Sequence, residues 1–369
     1  MRSIKRAALK GKIVLVRVDF NVPLREGRVA DASRIDAALP TIRFLLKRAR
    51  KVVLISHLGR PKGKPDKKLR MDPVAKVLRK KLKTKVRKID DCINVEDQIN
   101  SAKEQVVLLE NVRFHAQEKK NSSSFARKLA APADVFVNDA FGACHREHAS
   151  VVAITKYLPS YAGLLVIKEV SALKKLDNPK RPFIAILGGA KIKDKIGLVK
   201  SLLRNVDTVL VGGAMMFAFY DALNIETGRS KTESIPRLKG LLTSKQIILP
   251  VDVVCDNKRA YDWRSIPKSR KGLDIGPETQ KIYAEVIRNA KTIFWNGPMG
   301  FVEQKPFDRG TRVVAKAIAN AHAYSLVGGG DTIASLPKSL EFSQVSTGGG
   351  ASLEFLEKGT LPGLKPLKF

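Results

Sequence analysis

Short apolar runs alternate along this chain with longer stretches in which apolar positions recur every three to four residues. The runs are 13–18, 52–55, 106–109, 135–137, 183–187, 208–211, 247–254, 292–295 and 324–327. They are rich in Val, Ile and Leu and mostly lack an alternating polar face, as expected of strands buried on both sides. Between many of them lie amphipathic segments such as 35–47, 73–82 and 307–321, which carry the helical period. This alternation predicts an α/β protein, with mostly parallel sheets covered by helices.

In folds of this kind ligands gather beyond the carboxyl ends of the strands, so the residues after each run should carry the chemistry. After the early runs come Asp19-Phe20-Asn21, Ser56-His57-Leu58-Gly59-Arg60, Glu110-Asn111-Val112-Arg113-Phe114-His115 and Asn138-Asp139-Ala140-Phe141-Gly142. After the later runs come Gly188-Gly189-Ala190-Lys191, Gly212-Gly213, Asn296-Gly297-Pro298-Met299-Gly300 and Gly328-Gly329-Gly330-Asp331-Thr332. The first half thus ends its strands in Arg, His and Asn, and the second half ends most of its strands in glycine. Two domains with two different ligands are expected, with the boundary in 158–180. There Pro159, Pro179 and Pro182 flank a helical stretch, 164–176.

Composition narrows the class. A chain of 369 residues, 44% hydrophobic, suffices for two buried cores. No apolar stretch approaches the roughly 20 residues that span a bilayer. The basic segment 1–12 is followed only by a short apolar run, interrupted by Asp19 and Asn21, so no secretory leader is expected. Cys92, Cys144 and Cys255 are far apart and form no C-x-x-C pair. Neither a disulfide framework nor a zinc site is expected, and a soluble cytoplasmic protein fits best.

Charge complicates the picture. The chain holds 68 Lys and Arg against 35 Asp and Glu, a net +33. Such a field attracts anionic ligands and polyanions without identifying them. The densest block, 60–88, holds fourteen basic residues against Asp66 and Asp72. It reads either as a solvated face or as a nucleic-acid contact. No Phe, Tyr or Trp lies there to stack on bases, so nucleic-acid binding would be nonspecific.

The glycine clusters suit close approach of backbone N–H groups to phosphate oxygens, although turns need glycine anyway. In Gly328-Gly329-Gly330-Asp331-Thr332 the glycines permit a tight strand-to-helix turn, Thr332 can donate to a phosphate, and Asp331 can hold Mg²⁺. A further cluster, Gly348-Gly349-Gly350-Ala351-Ser352, opens the last helix. Neither G-x-x-x-x-G-K-[ST], nor a helix-opening G-x-G-x-x-G, nor G-x-S-x-G occurs. The stretch from Gly59 to Lys64 has the wrong spacing for the first of these. His145-Arg146-Glu147 has Glu where a protein-kinase catalytic loop needs Asp, and the rest of that signature set is missing. His145 and His148 could share a helix face as metal ligands but lack a convincing third. Arg34, Arg60, Arg113 and Arg146, with His57, sit beside strand ends or turns. Singly each suits a structural role; together at one sheet edge they would bind a small, highly anionic ligand in pairs of hydrogen bonds. Lys191 and Lys195 are spaced i, i+4 where a helix should start, so they would share one face toward the glycine loop, or toward solvent.

The chain resembles the phosphoglycerate kinases. The resemblance rests on Val16-Arg17-Val18-Asp19-Phe20-Asn21-Val22-Pro23, Ser56-His57-Leu58-Gly59-Arg60-Pro61 and Leu109-Glu110-Asn111-Val112-Arg113-Phe114. It continues in Leu187-Gly188-Gly189-Ala190-Lys191 through Lys195, Phe294-Trp295-Asn296-Gly297-Pro298 and Ser346-Thr347-Gly348-Gly349-Gly350-Ala351-Ser352. These strings stand in the family's order and cover nearly the whole chain, 11–364.

The resemblance implies two Rossmann-like lobes. The first, 1–160, would bind 3-phosphoglycerate or 1,3-bisphosphoglycerate through Asp19, Asn21, Arg34, His57, Arg60, Arg113 and Arg146. A tail, 355–369, would return to it. Residues 161–178 would be the interdomain hinge helix. The second lobe, 179–354, would bind ADP or ATP with Mg²⁺ through Gly188, Gly189, Lys195, Gly212, Gly213, Gly272, Leu273, Asn296, Pro298, Glu303, Gly329, Gly330, Asp331 and Thr332. Arg34 and Lys191 would serve the transferring phosphoryl group, Lys195 the nucleotide phosphates, Asp331 the metal and Glu303 the ribose. A monomer is implied. Ala214 departs from the third glycine common at that position, and the +33 charge exceeds what catalysis needs.

Overall fold

The computed structural model describes residues 1–190, 195–233, 235, 238–337 and 339–368. It forms two compact units, Met1–Ser171 with Thr360–Phe369, and Ala172–Gly359. The division falls inside the helix Leu164–Lys174. The tail begins at Thr360 rather than at 355. Residues 355–358 complete the helix Gly350–Lys358, which packs on Ile196–Leu202 within the second unit and accepts a hydrogen bond from Ser201 Oγ at the Leu356 carbonyl.

The first unit is built on six parallel strands: β1 (Ile13–Arg17), β2 (Lys51–Ile55), β3 (Val86–Lys88), β4 (Val106–Leu108), β5 (Val135–Asn138) and β6 (Ser160–Ala162). Their order is β3-β4-β2-β1-β5-β6. The continuous apolar runs fill both faces, because alternate residues point to opposite sides of the pleat. Val14, Val16, Val52 and Leu54 pack with Ile35, Ile42, Val74 and Leu78. Leu15, Val53, Ile55 and Phe136 pack with Ile99, Phe125 and Leu129 on the other side. The helix Ser33–Leu46 exists because Ile35, Ala38, Leu39, Ile42 and Leu45 make one buried stripe. The helix Asp72–Leu82 starts with Pro73 in its first turn and stops at Lys83, whose backbone turns left-handed at φ 55°. Arg2 N–H donates to the Leu367 carbonyl, and Gly363 N–H to that of Cys144, so the tail belongs to this unit.

The second unit has its own parallel sheet, with an antiparallel ribbon beside it in sequence. The strands are β7 (Phe183–Leu187), β8 (Thr208–Val211), β9 (Ile247–Ile248), β10 (Asp252–Cys255), β11 (Ala260–Asp262), β12 (Gly272–Ile275), β13 (Thr292–Asn296), β14 (Tyr324–Gly328) and β15 (Gln344–Val345). The parallel order is β9-β8-β7-β13-β14-β15, and the antiparallel one β11-β10-β12. The run 247–254, expected as one strand, divides here. Pro250 offers no N–H to a ladder, so β9 ends and β10 starts in the second sheet.

Both parallel sheets reverse direction at their middle. The chain leaves β1 toward β2 on one side and reaches β5 on the other; β7 and β13 are the equivalent pair. Loops on either side of such a reversal part and leave a crevice at the carboxyl ends of the strands.

Candidate active site

In the first unit the crevice is walled by charged side chains. Asp19 follows β1, is buried, and accepts from Arg34 Nη1 at 2.6 Å. Asn21 Oδ1 accepts the Gly59 N–H at 2.8 Å, tying the loop after β1 to the loop after β2. Asn111 opens the short turn Val112–Phe114: its Oδ1 accepts from the N–H groups of Leu58 and Arg113. That turn presents Arg113, whose Nη1 donates to the Gly59 carbonyl at 2.8 Å. Arg60 is exposed beside it, and Arg146 is half-buried with its Nε donating to His145 Nε2 at 3.1 Å. His148 faces Glu118 instead, so the two histidines turn to different partners.

Arg17, not singled out from sequence, is the centre of this arrangement. It is fully buried at the end of β1. Its Nε donates to Ser150 Oγ and its Nη2 to His57 Nδ1, each at 2.9 Å. A guanidinium has no acceptor, so Nδ1 is the accepting nitrogen and the His57 proton resides on Nε2. Burial, then Arg17, Arg113, Arg146 and Arg34, hold His57 well below the ordinary histidine value. It is therefore a neutral donor. Behind Arg17, Ser150 gives its N–H and its hydroxyl to the buried Glu118. Burial pushes the Glu118 carboxyl up, but His148, Arg17 and Ser150 outweigh it and the net shift is down. A cue to Arg17 existed in the sequence, since a lone arginine inside Val16-Arg17-Val18 must find partners when the strand is buried. Glu118 offered none.

The cations oppose one another. Burial, then Arg146 and Arg17, lower Arg113 to about 10. Burial also lowers Arg146; Asp19 opposes the shift, and Arg17, Arg60 and Arg34 add to it. The seven residues named for phosphoglycerate lie in one neighbourhood of this unit, where several arginines face one another and Asp19 offsets part of their charge.

The second unit is built differently. Gly188 follows β7 and Gly297 follows β13, in contact. A β-carbon on Gly188 would lie 2.1 Å from the Pro298 carbonyl oxygen, and one on Gly297 2.1 Å from that of Gly188. A β-carbon on Gly213, at φ +59°, would lie 2.5 Å from the Gly189 nitrogen. Backbone bonds lock these turns: Gly189 N–H to the Pro298 carbonyl, Gly213 N–H to that of Met299, Met215 N–H to that of Gly189. No side chain larger than hydrogen fits between them.

These turns border a cavity of about 230 Å³. Of the expected nucleotide residues, Gly189, Gly272, Leu273, Pro298, Glu303 and Asp331 line it. Phe217, Phe301, Lys231 and Lys271 also line it and were not anticipated; single apolar or basic residues there carry no sequence signal. Gly188, Gly212, Gly213, Asn296, Gly329, Gly330 and Thr332 are not among the lining residues. Thr332 is fully buried, and its Oγ1 accepts the Gly297 N–H at 2.9 Å. Asn296 Nδ2 is buried without a hydrogen-bond partner among the described residues. It lies 3.4 Å from where a β-carbon of Gly329 would be, an unspent donor beside the glycine loop.

Lys195 turns toward the glycine loop rather than toward solvent. The helix starts at Ile196, and the buried Lys195 reaches back so that its Nζ donates to the Gly188 carbonyl at 2.5 Å. Lys191 and Asp194 lie outside the described residues. Asp331 is an exposed carboxylate at the start of the helix Gly330–Ser335. One carboxylate beside a phosphate-sized glycine turn fits a magnesium ion that keeps its waters and takes oxygens from a nucleotide.

Comparison with known proteins gives this geometry its context. The phosphoglycerate kinase family model matches residues 4–359. The chain belongs to the phosphoglycerate kinase family. It is 39% identical to the structure of phosphoglycerate kinase from Coxiella burnetii over 99% of this chain and 98% of that one, with a TM-score of 0.85. It is 34% identical to the phosphoglycerate kinase from Pyrococcus horikoshii OT3 over 100% and 98% of the two chains, with a TM-score of 0.88. The family's activity is a phosphotransfer with a carboxyl group as acceptor: reversible transfer between 1,3-bisphosphoglycerate and ADP, giving 3-phosphoglycerate and ATP, in glycolysis.

Proposed function

We propose that the first unit holds 3-phosphoglycerate or 1,3-bisphosphoglycerate through Asp19, Asn21, Arg34, His57, Arg60, Arg113 and Arg146, and that the second holds the magnesium complex of ADP or ATP. The observation that carries this reading is the cluster of arginines around a neutral His57, whose mutual repulsion a multiply charged anion would relieve. In the second unit Leu273, Phe217 and Phe301 suit an apolar base and Glu303 the ribose hydroxyls, and Lys195, whose Nζ lies at the Gly188 carbonyl, is assigned the phosphates. Asp331 is assigned the metal, which, when bound, neutralises charge on the nucleotide phosphates.

In the direction of ATP use the attacking group is a carboxylate, ionised at pH 7, so no base is required. His57 is not one: its Nδ1 is occupied by Arg17 and its Nε2 carries the proton. Catalysis is then positioning and charge stabilisation. Arg34, held by Asp19, is assigned to the transferring phosphoryl group together with Lys191. Transfer requires the two ligands to meet and exclude water, and residues 161–178 are assigned as the hinge. We also read the chain as a cytoplasmic monomer; among the described residues no helix is long and apolar enough to cross a membrane. Any nucleic-acid binding by the basic surface would be nonspecific and salt-sensitive.

The test is phosphorylation of 3-phosphoglycerate by ATP with Mg²⁺, coupled to NADH oxidation, for wild type, Lys191→Ala and Arg34→Ala. Activity abolished by both substitutions supports the assignments. Activity that survives in either variant removes that residue from the transfer step. An inactive, folded wild type sinks the reading.

A further inference from the structure

A second cluster of chemically active side chains lies beside the arginine field. Asp91 and Cys92 follow β3, and His115 follows the turn Val112–Phe114. A carboxylate oxygen, the thiol sulfur and a ring nitrogen of these residues all lie within 4.8 Å of one another. His115 Nε2 is 2.8 Å from Asp91 Oδ1, which also accepts the Cys92 N–H at 2.6 Å. The His115 ring packs against Phe125, with centroids 5.2 Å apart, and this fixes its plane.

The charges around the cluster are uneven. Asp72, Asp90 and Glu110 are each engaged by both Arg70 and Lys88. Asp91 meets no lysine or arginine at ion-pair distance among the described residues, although the chain carries 68 of them; its partner is His115. Asp91 and His115 border an open cavity of about 510 Å³, while Cys92 is buried behind them. A small ion could enter where a larger ligand could not reach the sulfur.

We propose that Asp91, Cys92 and His115 form a binding site for a divalent transition metal of the zinc class, with water as the fourth ligand. Carboxylate, thiolate and imidazole are the ligands such an ion takes, whereas magnesium prefers oxygen alone. Tetrahedral bonds of roughly 2.0–2.3 Å place ligand atoms roughly 3.3–3.8 Å apart, so small side-chain rotations would open the 2.8 Å contact between His115 and Asp91 and draw in the rest of a cluster that spans no more than 4.8 Å. Binding releases the Cys92 thiol proton to water, and the proton that His115 Nε2 now donates to Asp91 passes through water to Nδ1, freeing Nε2 for the ion. The thiolate and the Asp91 carboxylate then balance the ion's charge. No Cys-x-x-Cys search finds this site, because its ligands come from two loops that only the fold joins.

The ion would pin the loop after β3 to the turn that presents Arg113, two residues before His115. Any effect on substrate binding therefore rests on the role proposed for Arg113, but metal binding itself does not.

The test uses the full chain, stripped of metal by a chelator and titrated with Co²⁺ without substrates. One equivalent should give a thiolate-to-cobalt charge-transfer band that Zn²⁺ abolishes, a signature the oxygen ligands of a nucleotide metal cannot produce. Cys92→Ser should remove the band, and Cys144→Ser and Cys255→Ser should keep it. Asp91→Asn and His115→Gln should each weaken cobalt binding by at least about 10-fold, the least that loss of even an outer partner costs. These two partly exposed positions decide the matter if Cys92→Ser fails to fold. No band in wild type, a band that survives in Cys92→Ser, or affinity unchanged in His115→Gln overturns the proposal.

Discussion

The two units build their strand ends from opposite materials. The first projects long cationic side chains; the second packs backbone turns against one another where only glycine fits. A side chain such as Arg34 or Arg60 hangs from a scaffold that Val16, Leu54 and their neighbours already hold together, so it can be removed with the core intact. In the second unit Gly188, Gly213 and Gly297 are buried in the packing directly behind the cavity-lining Gly189 and Pro298, so what disturbs one disturbs the other. Chemistry and stability should therefore separate in the first unit and fail together in the second.

Arg17→Met should break that contrast most strongly, because Arg17 belongs to both categories. Its loss leaves the buried Glu118 without its guanidinium and His57 without the donor that sets its tautomer. Breaking a buried charge arrangement from one side costs about 3–5 kcal/mol. Urea unfolding should show that loss, together with a raised KM for 3-phosphoglycerate. A variant as stable as wild type would mean that Glu118 needs no arginine.

Arg34→Ala should sharpen the contrast. Its side chain is 34% exposed, and the buried Asp19 keeps the charges of Arg17 and Arg146 nearby, so stability should shift by only about 1 kcal/mol. Loss of one charge-stabilising donor should lower kcat by about 10²–10³-fold, or about 2.7–4 kcal/mol of barrier. Equal losses of activity and stability would erase the distinction. Gly188→Ala tests the other side. Its β-carbon meets the Pro298 carbonyl oxygen, and forced repacking of this kind costs about 1–3 kcal/mol. Trp263 and Trp295 both lie in the second unit, so their fluorescence in urea reads that loss directly. KM for ATP should rise with it; one change without the other would separate site from packing.

The same contrast explains what the sequence disclosed. Central strands such as β1 and β7 are continuous apolar runs because both faces are covered. Edge strands escaped notice because Val86-Arg87-Lys88 and Ser160-Tyr161-Ala162 are short and half polar. The strand-end motifs placed the arginines and glycines in their units. What motifs could not convey was which groups spend their hydrogen bonds internally. Thr332 reads as a phosphate donor; its oxygen also accepts the Gly297 N–H, a tie the motif does not record. Lys195 reads as facing either the glycine loop or solvent, and its tie to the Gly188 carbonyl takes it to the loop. Such partners come from loops far apart in sequence, and spacing carries no record of them.

One feature is common to both units, and it gives the smallest effect. Each buries a carboxylate: Asp139 accepts the Leu165 N–H at the start of the helix Leu164–Lys174, and Asp274 accepts from Gly310 and Ile275. Burial raises each to about 7, against the hydrogen bonds that oppose it. A folded value raised above the unfolded one, about 3.9, means that the native state binds protons the unfolded chain has released. This contribution is complete below about pH 4 and is lost as pH rises through about 7. Between pH 5 and 6 the slope is about 1 kcal/mol per pH unit for each group. Asp139→Asn and Asp274→Asn should each gain that much relative to wild type over the interval. Amide exchange in β1 reads the first, and fluorescence of Trp263 and Trp295 in urea reads the second. A difference that stays flat with pH would show that the carboxylate is already ionised in its native site. The unit concerned would then hold a buried negative charge as readily as the first unit holds its cations.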